Sequence, residues 1–310
     1  MKRKKVSVIG AGNVGASLAQ HLVMGGVADV VLYDIAQGVP QGKALDMGEA
    51  CPLWGSSVSI RGTNVIEDTA GSDVIVITAG LARKPGMTRD DLLHANASII
   101  GVVTAEAAQH SPKAVIIMVT NPMDAMAHLA WKSSKFPAER VIGMGGVLDS
   151  ARLRSFIAWQ LDVSPRDVEA MVLGGHGDQM VPVRSLISVK GVGIGSLLPD
   201  AKIEQIIERT RSGGAEIVSL LKTGSAYYAP AASACEMVNA VLFDEKRLLP
   251  CAAYLDGQYG AKGVYAGVPV ILGKGGVEKI LEVPLTQDEK AAFDRSVSAV
   301  GKLAGMLGLA

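Results

Sequence analysis

The chain has 310 residues, and its thirty Lys+Arg balance thirty Asp+Glu to a formal net charge of zero. Hydrophobic residues at 49% against 19% charged ones exclude wholesale disorder, and the even balance, without any run of five like charges, excludes the basic footprint of a nucleic-acid-binding surface. The length fits one large domain or two closely packed ones, and 36 glycines beside only three Trp, six Tyr and four Phe suit a parallel α/β protein.

At the N-terminus Lys2-Arg3-Lys4-Lys5 precedes 23 uncharged residues, Val6 to Ala28, in the outline of a signal anchor. Five of these are glycines, and the longest unbroken apolar run is Leu22-Val23-Met24, so the segment reads as part of a folded domain. Val6-Ser7-Val8-Ile9 predicts a strand, Val14 to Val23 a helix, and Asp29-Val30-Val31-Leu32-Tyr33 a second strand. The grammar repeats at Asp73 to Thr78 and Ala114 to Thr120, near-continuous β-branched runs separated by a helix over Arg89 to Gln109. Strands of this kind are buried on both faces of a parallel sheet. A short strand near Arg140-Val141-Ile142 and a helix over Ser150 to Leu161 follow. Beyond about residue 165 shorter strands (168–173, 185–189, 267–272) stand among glycine turns with helices near 202–221 and 227–242. Thr286-Gln287-Asp288-Glu289 is a capping-box signature opening a last amphipathic helix. The expectation is a doubly wound parallel sheet over residues 1–145 and a mixed α+β domain over residues 146–310, packed as one unit. Cys51, Cys235 and Cys251 are odd in number and have no C-x-x-C spacing, which argues against a disulfide framework or a zinc site and fits a reducing cytoplasm.

Gly10-Ala11-Gly12-Asn13-Val14-Gly15 matches G-x-G-x-x-G. In so glycine-rich a chain the bare pattern would arise by chance roughly half the time, so its context decides. It follows a predicted strand, opens a predicted helix, and stands 19 residues before Asp34 at the end of the next strand. Gly10 then turns the chain, Gly12 admits a pyrophosphate to the backbone, Gly15 lets helix pack on strand, and the helix N-terminus favours the phosphates. Asp34 would accept ribose hydroxyls and repel a 2′-phosphate, which points to NAD.

Arg83 and Arg89 lie in a glycine- and proline-containing loop beyond a strand's carboxyl end, where a lid would carry charge onto a substrate; a solvated basic loop is the alternative. Arg152 stands three residues after Asp149 on a helix, where an exposed ion pair is the alternative. His21, His94, His110 and His128 fall on helical stretches, whereas His176 in Leu173-Gly174-Gly175-His176-Gly177-Asp178 sits at a glycine turn after a strand. Such an imidazole can exchange a proton with a hydroxyl when a carboxylate holds its other nitrogen, and Asp149 is the candidate.

The fingerprint, Thr120-Asn121-Pro122-Met123-Asp124, Gly146 to Arg152, and Gly174-Gly175-His176-Gly177-Asp178 stand in the order and spacing that resemble the lactate/malate dehydrogenases. The resemblance implies a Rossmann domain followed by a substrate domain, with His176 as proton acceptor, Asp149 as its partner and Arg152 on the substrate's C1 carboxylate. It also implies that Arg89 polarises the substrate oxygen, that Asn121 bonds near that oxygen and the nicotinamide, and that Asn121-Pro122 is cis. Ala11, Asn13, Val14, Asn96, Val119 and Thr120 become further cofactor contacts. At Arg83 the lactate branch typically carries Gln; a cation there suits the second carboxylate of malate or oxaloacetate, since enclosing that charge unpaired would cost several kcal/mol. Ala226 stands where the lactate branch has a larger residue. Reversible hydride transfer between malate and NAD is thus implied, by a homodimer or homotetramer. The rivals are a lactate or broad 2-hydroxyacid dehydrogenase and a non-catalytic NAD-sensing module.

Overall fold

The computed structural model describes residues 3–81 and 88–309. Strand β1 (Lys5–Ile9) lies between β2 (Asp29–Tyr33) and the later β4 (Val74–Ile77), all parallel; β3 (Ile60–Thr63) flanks β2, and β5 (Val115–Met118) and β6 (Val141–Gly143) extend the other side. The spatial order 3-2-1-4-5-6 reverses direction at β1, which puts a crevice at the carboxyl ends of β1 and β4. The connecting helices are α1 (Asn13–Met24), α2 (Val39–Trp54), α3 (Arg89–His110) and α4 (Met123–Ser134). Every residue of β4 is fully buried because the sheet is covered on both faces: Val74 and Val76 join the core with Leu18 and Leu22 of α1, while Ile75 and Ile77 join Leu93 and Ile100 of α3.

The second half begins with α5 (Gly146–Leu161), followed by β7 (Val168–Glu169), β8 (Val172–Gly174), β9 (Met180–Pro182), β10 (Ser188–Val189) and β11 (Val192–Gly193). Helices α6 (Asp200–Leu221) and α7 (Tyr228–Leu242), strands β12 (Arg247–Asp256), β13 (Lys262–Gly273) and β14 (Gly276–Ile280), and helix α8 (Gln287–Met306) complete it. The sheet does not stop between the halves. Gly143 of β6 pairs antiparallel with Ala252 of β12, and β13, β8 and β9 continue from there, eleven strands among the described residues.

Several expectations need correcting. Helix α5 starts at Gly146 and not at Ser150, so Asp149 sits in its first turn. The strand expected over 168–173 is broken into β7 and β8, and of 185–189 only Ser188-Val189 is strand, after a 3-10 turn over Arg184–Leu186. Strand β13 runs to twelve residues, twice the length expected. Helix α2, helix α4 and strand β12 have no counterpart in the sequence reading. The capping box at α8 is formed, with the Thr286 hydroxyl accepting from Glu289 N and Glu289 accepting from Thr286 N.

His128 is a core residue, ringed by Trp131, Tyr254 and Tyr265 at centroid distances of 5.6 to 5.9 Å. Burial pushes its pKa down to about 4, so it is neutral. The three cysteines are free, and burial pushes the Cys235 thiol up to about 11 and the Cys251 thiol up as well, which leaves those two poor nucleophiles. No helix among the described residues is long and apolar enough to cross a membrane.

Candidate active site

The glycine-rich turn between β1 and α1 is shaped for an anion. Gly10 has φ +108°, and a Cβ there would come within 2.7 Å of Ala79 N. One at Gly15 would meet the Gly10 carbonyl at 1.9 Å, so helix and strand touch only because that position is bare. A Cβ at Gly12 would have nothing within 4 Å: its side of the turn is open, as backbone approach to a phosphate requires. No side chain caps α1 and its first turn holds no acid, so its N–H groups and dipole favour a diphosphate. A dinucleotide therefore fits this cradle. Ala11 is buried, while Gly12 and Asn13 are exposed at its mouth and Val14 half-buried below it.

Asp34 lies at the end of β2 facing this turn. Its Oδ2 accepts from Ala11 N at 2.6 Å and its Oδ1 from Ala36 N at 2.9 Å, so the carboxylate braces the turn and keeps spare lone pairs for hydroxyls. Lys43 of α2, which the sequence reading did not single out, donates to the Ala11 carbonyl at 2.6 Å from the other side. Nothing local could have flagged it, because α2 itself went unrecognised.

Asn96, expected to touch a cofactor, is buried, and its amide is committed to main chain. It accepts from Leu81 N at 2.7 Å and donates to the Asn121 carbonyl at 2.7 Å. Its place in the site is to pin the chain leaving β4 to the chain leaving β5. Thr120 is buried and donates to the Ala79 carbonyl at 2.6 Å, Val119 is half-buried, and the Asn121-Pro122 bond is cis. Arg83 lies outside the described residues. Arg89 is the first residue of α3, following the Thr88 N-cap, and its side chain also lies outside what is described.

His176, Asp149 and Arg152 converge. His176 Nδ1 donates to Asp149 Oδ2 at 2.7 Å, and Arg152 Nη1 donates to Asp149 Oδ1 at 3.3 Å. Asp149 is 1% exposed and the Arg152 side chain 13%, which disposes of the exposed ion pair as a reading of this spacing. The early start of α5 places Asp149 at the helix N-terminus, where the dipole favours its charge. Burial alone would lower the imidazole pKa. The charge and hydrogen bond of Asp149, with Asp124 adding to them and Arg152 opposing, outweigh it, so the His176 pKa is raised. With Nδ1–H engaged, Nε2 is the nitrogen left for a substrate.

A cavity of about 480 Å³ opens at this cluster, lined by Asn121, Arg152, His176, Arg211 of α6 and Ala226. The buried Nε of Arg152 has no hydrogen-bond partner. Gly213 of α6 makes room for this side chain, since a Cβ there would already stand 3.3 Å from Arg152 Cδ. A larger cavity of about 560 Å³ lies between α6 and α8, where Arg184 pairs with Glu204 and Glu289 accepts from the Ser185 hydroxyl. Size alone is a poor guide here; the imidazole held by a buried carboxylate and the unpartnered guanidinium nitrogen are in the smaller one.

Residues 4–143 match the lactate/malate dehydrogenase, NAD binding domain, and residues 146–302 the lactate/malate dehydrogenase, alpha/beta C-terminal domain. The chain is 55% identical over 307 residues to the malate dehydrogenase of Desulforudis audaxviator, with 99% of each chain covered. It is 58% identical over 301 residues to that of Thermomicrobium roseum, with 97% of each covered. Among solved structures it superimposes on the malate dehydrogenase of Cryptosporidium parvum with a TM-score of 0.96, at 46% identity and 99% coverage of both. The lactate dehydrogenase of the same organism, solved with lactic acid and nicotinamide adenine dinucleotide, gives 0.97 at 43% identity, covering 100% of this chain and 99% of that one.

Proposed function

The chain belongs to the lactate/malate dehydrogenase family, and on that premise we propose how its own residues carry out NAD-dependent oxidation of malate to oxaloacetate. The observation that carries the reading is the buried Asp149–His176 pair at 2.7 Å, beside the unpartnered Nε of Arg152 in one cavity. NAD, when bound, supplies the ring that accepts the C2 hydride. Residues 1–145 hold the dinucleotide, with Gly10 to Gly15, Asp34 and the Val119 to Asn121 strand end around it. Residues 146–310 supply the base and the C1 carboxylate's partner, to which the first half adds Arg83, Arg89 and Asn121 around the acid.

Arg152 binds the C1 carboxylate, and Arg83 the C4 carboxylate. His176 Nε2 accepts the 2-hydroxyl proton as the C2–H bond breaks, and Asp149 stabilises the imidazolium so formed; in reduction the same proton returns to the carbonyl oxygen. Asn121 and Arg89 stabilise the charge that develops on that oxygen. We further assign the protein to the cytoplasm, which its three free cysteines support, as a homodimer or homotetramer in keeping with the family.

Two measurements check this reading. NADH should exceed NADPH by at least about 10-fold in kcat/KM with oxaloacetate, because Asp34 repels a 2′-phosphate and the exposed Ile35 beside it offers no cation. Equal efficiencies would remove Asp34 from the adenosine site. Oxaloacetate and pyruvate assayed side by side, on the wild type and on Arg83→Gln, test the substrate. The variant should lose on the order of 10²-fold or more with oxaloacetate, and pyruvate turnover should survive or rise, since losing one partner of an enclosed charge pair costs about 2–5 kcal/mol. Unchanged oxaloacetate kinetics would take Arg83 off the second carboxylate.

A further inference from the structure

The turn that carries His176 is held from behind by a second carboxylate. Asp124, in the first turn of α4, is 5% exposed, and its Oδ2 accepts the main-chain N–H of His176 at 2.8 Å. Its Oδ1 is buried with no hydrogen-bond partner. An N–H group does not need a charge to satisfy it: the preceding amide, Gly175 N, is satisfied by the Ser296 hydroxyl at 2.8 Å. A buried carboxylate with one oxygen unmatched is a costly acceptor where a hydroxyl or amide would serve. The fit is also close, because a Cβ at Gly175 would stand 2.6 Å from Val300 of α8 and 3.6 Å from Asp124 Oδ2.

We propose that Asp124 is a positioning residue for the reaction, one that fixes the His176 main chain and lends its negative charge to the imidazolium formed when His176 takes the substrate proton. This rests on His176 being that proton acceptor. Among the described residues, the charged groups that act on the pair are Asp149 and Arg152 on α5, while Ser296 and Val300 of α8, which stand against the turn, do not titrate. Two carboxylates therefore flank one imidazole, Asp149 on the ring and Asp124 on the backbone, opposed by one guanidinium. Burial, with Asp149 repelling it, raises the Asp124 pKa to about 6 against the opposing hydrogen bond from His176 N. Its charge is thus present at neutral pH and is withdrawn as pH falls, in the range where a histidine works.

Asp124→Asn keeps an oxygen acceptor for His176 N and removes the charge. In the variant the midpoints of the pH profiles for malate oxidation and oxaloacetate reduction should both move to lower pH, by about half a unit or more, with NADH affinity unchanged. A role confined to the hydrogen bond would leave the midpoints in place, and superimposable profiles overturn the proposal. A second measurement reads the ring itself: the His176 ring resonance, assigned by its loss in His176→Asn, should titrate at lower pH in Asp124→Asn than in the wild type, and an unmoved midpoint likewise overturns the proposal. Wild-type profiles that fail to run oppositely in the two directions would sink the assignment of His176 itself. Profiles that run oppositely but do not shift in Asp124→Asn would sink Asp124 alone.

Discussion

His176→Asn is expected to lose on the order of 10²–10⁴-fold in kcat in both directions while binding NADH as the wild type does. The loss follows from proton bookkeeping. Oxidation requires a neutral imidazole to accept the hydroxyl proton, and reduction requires the imidazolium to return it. In the wild type kcat/KM with malate should therefore rise with pH through the His176 pKa, and kcat/KM with oxaloacetate should fall through it. That pKa lies above the ordinary histidine value because Asp149 and Asp124 overcome the effect of burial, so the crossing should sit on the alkaline side of a free imidazole. NADH binding is spared because the glycine turn and Asp34 are built from β1, α1 and β2, none of which includes the His176 turn. Profiles in both directions for the wild type, with NADH titrations of the variant, check the claim; near-normal turnover in His176→Asn would leave the reaction without its base.

Arg152→Met should lower kcat/KM on the order of 10³-fold for oxaloacetate and pyruvate alike, because both substrates carry the C1 carboxylate that we propose this guanidinium binds. The parallel loss separates Arg152 from Arg83, whose removal should penalise only the dicarboxylate. A second consequence has a definite sign. Arg152 opposes protonation of His176, so its removal should move the pH midpoints upward, against the direction expected for Asp124→Asn. Methionine preserves the length of the stem that packs on Gly213, which keeps the change one of charge and not of packing. If Arg152→Met discriminated between the two substrates, the C1 and C4 assignments would have to be exchanged.

What could be read from the sequence depended on which physical signal each segment carries. Apart from β3, which went unread, the strands of the first half were legible almost to the residue, since Val74 to Ile77 and Val115 to Met118 are buried on both faces and leave no polar interruption. Helix α4 was not, because burial extends nearly all around it, from Met123 through His128, so no polar face marks a period. Helix α2 carries two glycines and two prolines, residues that ordinarily punctuate loops, and strand β12 carries Pro250 and a pair of alanines, which disguise its pairing with β13. In the site, His176 could be selected by its glycine turn, and Asp149 and Arg152 by their spacing on a helix. The contact between them spans 27 residues and depends on how α5 meets β8, which no local pattern states. Asp124 stood in plain view beside Asn121-Pro122, yet its role exists only because α4 and the His176 turn are brought together. The residues 82–87, where Arg83 sits, lie outside the described structure, so that assignment rests on charge complementarity alone.

The junction between the halves is written in glycine because three segments cross there. A Cβ at Gly143 would strike Met123 Sδ at 2.1 Å, one at Gly145 would meet Met123 Cε at 2.7 Å, and one at Gly146 the carbonyls of Pro250 and Val172, both at 2.7 Å. Position 123 belongs to one half and positions 172 and 250 to the other, while residues 143–146 run between them carrying the last parallel strand into the helix of Asp149. Recombination between relatives at this point cannot therefore treat the halves as exchangeable cassettes. A crossover there inherits a seam whose two walls were shaped against each other, and the spacing of base and hydride acceptor is set by that seam. Changes of substrate are better accommodated outside its glycines, in the stretch around Ala226 that lines the cavity, where a side chain can be altered without entering the seam.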